Sequence, residues 1–444
     1  MFECTGSNLS RNPELTGRLT SMKIEVQSKK LIKPSAPTPN HSRMLNISGI
    51  DELQPTLYSG FLFYYRANGE NQEDDIFRRL RLLEESLSET LTIFYPLAGR
   101  YVEEELYIDC NDQGVEFVHA KVNGQLDQLL RGEFDPDLLG RLSEFQMGAA
   151  GNPLVVVQVN VFECGGLVIS LRSFHKVGDL SAMATFMKSW VTVCRSGTHE
   201  LASPYFELST LFPVKGSGVN LTPPLLAGVK LTMNRFLFSG AAISRLKLAG
   251  PKNMRISRVE AVSALLCKVF VTMDRAKHGR LRPLLVCQNM NLRGTVNLPI
   301  PTNAFGNFIT KVVTRHTMPQ SGPDFEELVK MIHDMFANAK TRYATIADTE
   351  SCMDMVKDSA REYAERVKSD EVNVVNFSSW CGFPLYDIDF GWGKPELVSN
   401  VCQPARRIIL LDSKTEGGID AWIILSQEEK VLLVQDPDIV AFAS

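Results

Sequence analysis

The sequence predicts an α+β protein of two domains, and three observations support that prediction. Its 444 residues are about three times the ~150 that serve one domain, and 44% of them are hydrophobic, enough for more than one core. Strand-like alternation and helix-like periodicity occur in both halves, so neither half is of a single type. Between the halves, Pro204, Pro213, Pro223 and Pro224 punctuate a stretch without periodicity, where a boundary belongs.

Composition narrows the function. Charged residues make up 22% and the net charge is -4, so no basic surplus exists to neutralise phosphates and nucleic acid is not an expected partner. Nine cysteines are scattered without a CxxC pair or a histidine cluster at zinc spacing, so neither a disulfide framework nor a metal is expected, and a reducing cytoplasmic compartment fits. Residues 1–22 hold no apolar run of signal-peptide length and read as a flexible leader. No run of 18 apolar residues follows, so a membrane span is not expected either.

Taken in order, residues 24–27 alternate as a strand, and Pro34, Pro37 and Pro39 keep the next stretch extended. The aromatic run 58–65 is a second strand. Asp74-Asp75 opens a helix that carries Ile76, Leu80, Leu83, Leu87 and Leu91 on one face and must stop before Pro96. Residues 101–110 read as one returning strand. Strands over 154–163 and 167–171 form a hairpin through Cys164-Gly165-Gly166. The following helix repeats Leu180, Met183, Met187, Trp190 and Cys194 on a buried face. In the second half, 259–271 and 325–339 read as helices. Residues 284–292, 372–377, 408–411 and 421–425 read as strands, with a hairpin signal at Gly417-Gly418.

His175 falls where the hairpin strand gives way to the helix, at the mouth of a sheet, where ligands tend to bind. Read alone, His175-x-x-x-Asp179 fits two roles. One is a hydrogen-bonded structural histidine. The other is a general base that takes a proton as a hydroxyl or amine attacks an activated carbonyl such as a thioester. Gly178 would let the chain turn tightly. Asp179, just before an apolar helical run, has the look of an N-cap, and Lys176 that of a solvated charge. No Gly-x-Ser-x-Gly elbow, P-loop or Gly-x-Gly-x-x-Gly fingerprint occurs, which removes support for elbow-type hydrolases, nucleotide hydrolysis and nicotinamide chemistry. A second compact turn, Asp389-Phe390-Gly391-Trp392-Gly393, could be scaffold, its aspartate holding loop amides and its tryptophan plugging an interface.

Together the two stretches resemble the HxxxD and DFGWG motifs of the plant BAHD acyltransferases, in the order and separation that family shows. Tyr95 to Arg100 (YPLAGR), Asn291-Leu292-Arg293, Phe305-Gly306-Asn307 and Ser379-Trp380 also resemble family signatures, and the likeness runs from about Ile24 to the C-terminus. It departs at Leu180, where glycine is frequent, and at Phe377-Ser378-Ser379, where a serine-threonine run is usual.

The resemblance implies two chloramphenicol-acetyltransferase-like domains with mixed sheets. They would be residues 23–202 and 226–444, joined by a crossover loop over 203–225, with an active-site channel at their interface. It implies His175 as general base and Asp179 paired with Arg293. Asp389, Gly391, Trp392 and Gly393 would be structural supports. Ser378, Trp380 and Asn307 are candidate oxyanion donors, and Lys247, Lys252 and Arg258 candidates for coenzyme phosphates. The implied reaction moves an acyl group from acyl-CoA, a cosubstrate and not a resident cofactor, to a small-molecule acceptor in a ternary complex with a monomeric enzyme. The stretch from Ile24 to Pro39 looks most like members that acetylate alkaloid or terpenoid alcohols, which makes acetyl-CoA the expected donor. Hydroxycinnamoyl, malonyl or benzoyl donors, and a non-catalytic binding protein on the same fold, are the alternatives.

Overall fold

The computed structural model describes residues 22–67, 73–132, 134–145, 151–197, 201, 203–216, 218–219, 221, 228–401 and 405–444. The leader, apart from Met22, and part of the crossover with Pro223 and Pro224 lie outside the described residues. Met22 is no part of a flexible extension: its side chain is 3% exposed and packed into the first core.

The N-terminal half supplies β1 (Ile24–Ile32), β2 (Met44–Asn46), β3 (Tyr58–Tyr65), β4 (Arg100–Val102), β5 (Tyr107–Asp109), β6 (Val115–Val122), β7 (Val155–Phe162) and β8 (Leu167–Phe174). The C-terminal half supplies β9 (Leu231–Phe238), β10 (Leu284–Asn291), β11 (Ile309–His316), β12 (Asn373–Ser379), β13 (Leu397–Asn400), β14 (Arg407–Asp412) and β15 (Ile419–Ser426). They build two six-stranded sheets, ordered β1-β6-β7-β8-β3-β13 and β11-β10-β12-β14-β15-β9, and a small sheet β2-β5-β4. Both large sheets are mixed. β6 runs parallel to β7 in the first, and β12 runs parallel to β10 and β14 in the second. Two separate hydrophobic cores go with them.

Helices cover the sheets because their apolar residues recur every three or four positions. Glu73–Ile93 buries Leu80, Leu83, Leu87 and Leu91, and burial is worth roughly 1.5–3 kcal/mol for each such side chain. Against it lies Leu180–Ser196, whose buried Trp190 donates its indole N–H to Ser86 Oγ at 3.0 Å.

Several expectations need correcting. Residues 101–110 are not one strand. Glu103, Glu104 and Glu105 form a turn between β4 and β5, which suits three consecutive carboxylates that a strand pair would have to hold close together. Each half of the chain also lends residues to the other half's layer. β13, from the second half, pairs with β3 and closes the edge of the first sheet, while Ile50 and Leu53 belong to the second core. β6, β9, β11 and the helix Thr349–Arg366 were not predicted. The helix has a narrow buried stripe, including Cys352, Val356, Ala360 and Tyr363, within a strongly charged sequence.

Candidate active site

A cleft of about 1050 Å³, open to solvent, lies between the two sheets. One wall comes from the first half with Ser59, Phe61, Ser173, His175 and Gly178, and the other from the second half with Asn289, Lys311, Ser378, Trp380 and Arg407.

The strand that delivers His175 is fixed on both sides. β8 is hydrogen-bonded to β7 and β3, and the His175 N–H extends the β3 ladder by donating to the Leu57 carbonyl at 2.8 Å. A short 3-10 turn, His175–Val177, follows, and then the helix capped by Asp179. Gly178 has φ 173°, extended backbone that any residue adopts, so the tight turn expected of it is absent. It must be glycine for another reason: a Cβ there would meet Ala182 Cβ at 2.9 Å and Met183 Cε at 3.0 Å. Lys176 is not a solvated charge either. It is buried, and its ammonium donates to the Glu52 carbonyl at 2.7 Å.

The second half holds this loop from the far side. Asp179 Oδ1 accepts from the Ala182 N–H at 3.0 Å, the N-cap bond, while Oδ2 accepts from Arg293 Nη1 at 2.6 Å and from the Phe308 N–H at 2.9 Å. Both side chains of the ion pair are nearly inaccessible, at 3% for Asp179 and 4% for Arg293. Arg293 also donates to the Ala304 and Gly306 carbonyls. The carboxylate is thus fully committed to holding the loop.

Asn307 has a similar place. Its amide Nδ2 donates to the His175 carbonyl and to Asp51 Oδ1, both at 2.8 Å. Neither amide hydrogen remains for an oxyanion, and Asn307 does not line the cleft. It positions the histidine loop. Sequence reasoning missed Asp51, the buried acid behind it, whose pKa is raised by burial against the pull of bonds from Ser48 and Asn307. The available signal was the capping box Ser48-x-x-Asp51.

Ser378 and Trp380 do line the cleft, with Trp380 Nε1 donating to Ser378 Oγ at 3.2 Å. The indole N–H is spent on the serine, which leaves the serine hydroxyl as the donor able to serve a ligand. Lys247, Lys252 and Arg258 lie outside the cleft. Arg258 is committed to Asp412 at 2.9 Å and to the Gly418 carbonyl at 3.3 Å.

The DFGWG turn is also away from the cleft. Asp389 Oδ1 accepts from the Gly391 and Gly393 N–H groups at 2.9 and 2.8 Å, and these glycines have φ of 108° and 110°, where a side chain would be strained. Phe390 meets Trp190 edge-on at 4.8 Å and stacks on Trp392 at 5.5 Å. Tyr65 donates its hydroxyl to the Ile388 carbonyl at 2.8 Å. The turn clasps the second half onto the helices of the first.

Electrostatics set the state of the histidine. Desolvation in the cleft wall lowers the His175 pKa to about 4, opposed by its own backbone, with Arg407 and Lys311 adding to the fall and Asp179 resisting it. At neutral pH the imidazole is therefore uncharged and able to accept a proton. Among the described residues no group of three or more metal-ligating side chains occurs, and no helix is long and apolar enough to cross a membrane.

A family model described as the transferase family matches residues 22–439. The chain belongs to this family, the BAHD transferases. It is 37% identical over 439 residues to an acetyl-CoA-benzylalcohol acetyltransferase of Clarkia breweri, covering 95% of this chain and 100% of that one. To stemmadenine O-acetyltransferase of Catharanthus roseus it is 32% identical, over 93% of this chain and 96% of the relative. The crystal structure of vinorine synthase matches with a TM-score of 0.79 and 28% identity, over 95% of this chain and 99% of that one. The BAHD member described here is thus an enzyme of the acyl-CoA-dependent O-acyltransferase type with the two-domain α+β architecture.

Proposed function

We propose that the protein moves an acetyl group from acetyl-CoA to a hydroxyl of an alkaloid or terpenoid alcohol, with His175 as general base. The observation that carries this reading is an uncharged His175 on the wall of a cleft shared by both sheets, facing a wall that holds the Ser378 hydroxyl. The acetyltransferase names of the two relatives support the donor and the oxygen acceptor.

In this mechanism both substrates occupy the cleft together. The imidazole takes the acceptor's hydroxyl proton as its oxygen attacks the thioester carbonyl carbon. Ser378 donates to the oxyanion that forms, and preorganised donors of this kind are commonly a large part of rate enhancement. The intermediate collapses, the carbon–sulfur bond breaks, and the imidazolium returns the proton to the departing thiolate. No acyl-enzyme is required. Asp179, Arg293 and Asn307 hold the loop, and Asp389 with its two glycines holds the domains together. A cytoplasmic monomer, divided near residues 203–225, completes the proposal.

A panel of acetyl-, malonyl-, benzoyl- and coumaroyl-CoA against alkaloid, terpenoid, phenolic and benzylic alcohols, read by thiol release and product mass, tests the function. Acetyl transfer to an alcohol is expected. Transfer only from another donor overturns the acetyl assignment, and no transfer from any pair points to a binding protein. Ser378→Ala is expected to lower kcat about 100-fold, the scale of one lost oxyanion donor, with little change in KM. An unchanged kcat removes Ser378 from the mechanism.

The pH dependence follows from the sign of the shift. The folded pKa lies below the free value of about 6.5, so the base form survives as pH falls through 6 and is lost near 4. The same histidine lowers stability progressively from about pH 6.5 to 4, because the unfolded chain binds its proton first. A profile of kcat/KM should stay nearly flat from pH 7 to 5.5. A midpoint near 6.5 contradicts the desolvated site.

A further inference from the structure

The wall that carries His175 has two more polar side chains than the mechanism above employs. Ser173 lies on β8 two residues before the histidine, and Ser59 of β3 stands directly opposite it in the antiparallel ladder. Both line the cleft. Side chains alternate between the two faces of a strand, so Ser59 shares a face with Phe61, whose ring meets Trp380 of the other half edge-on at 5.1 Å. Ser173, opposite Ser59, takes the same face. Tyr58 and Phe174, their chain neighbours, turn to the other face, where their rings meet at 5.4 Å.

The fold has no use for the Ser173 hydroxyl. The backbone of this residue is paired on both sides, with Val155 of β7 and Ser59 of β3. The residue is 1% exposed, and among the described residues neither serine hydroxyl has a hydrogen-bond partner. In the empty cleft, water can serve it. Once two substrates fill the cleft and expel that water, the partner has to come from one of them, since a buried hydroxyl left without one is costly.

Position decides which substrate. The hydroxyl that gives its proton to His175 must lie beside the imidazole, and Ser173 is the next side chain along the same strand face. The oxyanion is served from the opposite wall by Ser378. The attacking oxygen has two lone pairs. One forms the bond to the carbonyl carbon, and the other is free to accept a hydrogen bond.

We propose that Ser173 is a further catalytic residue, its hydroxyl donating to the oxygen of the acceptor's attacking hydroxyl and holding that group with its hydrogen toward His175. This rests on the acyltransferase reading and extends it. Atoms and charges balance without Ser173 ionising. The acceptor's O–H bond breaks toward the imidazole, its oxygen forms the new bond to carbon, the carbon–sulfur bond breaks, and the Ser173 proton stays on its own oxygen throughout. The hydrogen bond restricts the alcohol to the orientation for attack. It strengthens as the proton leaves, because the oxygen then gains negative charge. Ser59, whose Cβ is about 5 Å from that of its directly opposed partner, keeps this corner of the wall polar.

The test uses the full chain, acetyl-CoA and the alcohol that the wild type acetylates best. Ser173→Ala is expected to lower kcat/KM for that alcohol about 10-fold, the scale of one hydrogen bond between neutral groups. Its Tm and its calorimetric affinity for CoA should stay at the wild-type values. Ser173→Thr, which keeps the hydroxyl, should recover most of the loss. Ser173→Cys, close to serine in size but a weak donor, takes the place of the alanine variant if thermal melts show that one unfolded. An unchanged kcat/KM, a loss matched by weaker CoA binding, or a Ser173→Thr variant no better than Ser173→Ala overturns the assignment. Should the wild type acetylate no alcohol, titration of benzyl alcohol into the CoA-saturated protein decides separately. Weaker binding by Ser173→Ala then supports the hydrogen bond even though the activity has failed, and equal binding overturns it.

Discussion

Asp179→Ala is expected to destabilise the protein more than any other single change at the site. The substitution removes an N-cap, an acceptor for the Phe308 N–H and the counter-ion of an almost inaccessible Arg293. Breaking a buried pair from one side costs about 3–5 kcal/mol, because the surviving charge is left uncompensated. For a domain of this size that corresponds to a fall in Tm of roughly 10 °C. Asp179→Asn, which can still cap the helix, should lose less. Activity should fall along with thermal stability, since the pair ties the His175 loop to the opposite domain. Thermal melts run beside kcat measurements check this. A loss of kcat with Tm intact would instead make Asp179 half of a catalytic dyad.

The second large effect is on rate. His175→Ala should lower kcat by roughly 100- to 10,000-fold, the contribution usual for a positioned general base. Stability at pH 7 should change little. There the imidazole is uncharged in the folded chain, with its pKa lowered to about 4, and mostly uncharged in the unfolded chain, so its titration neither adds to stability nor subtracts from it. The positions of the loop's anchors follow from groups other than the ring: the His175 N–H and carbonyl, bonded to Leu57 and Asn307, survive the substitution.

What was legible in the sequence follows from the range of the interactions. His175 at a strand end, Asp179 as a cap and the aspartate-glycine turn at 389–393 depend on neighbours within a few residues, and local chemistry made them visible. Lys176 was misread because its partner, the Glu52 carbonyl, lies 124 residues away. The requirement for glycine at 178 comes from packing on the next helix, not from a turn, and no spacing rule distinguishes these. β13 is four residues long and takes its place only by pairing with β3, more than 300 residues earlier. Lys311 and Arg407 reach one wall because four strands bring them there, and in sequence they are two unremarked basic residues.

The central claim is that an uncharged His175 takes the acceptor's proton while donor and acceptor are both bound. Its most direct test is thiol release from acetyl-CoA by wild type and His175→Ala, using an alcohol that the wild type acetylates, at pH 7 and with equal Tm verified. The expected result is a fall of at least about 100-fold in the variant, with no thiol released by either protein before the alcohol is added. Transfer at the wild-type rate by His175→Ala contradicts the claim.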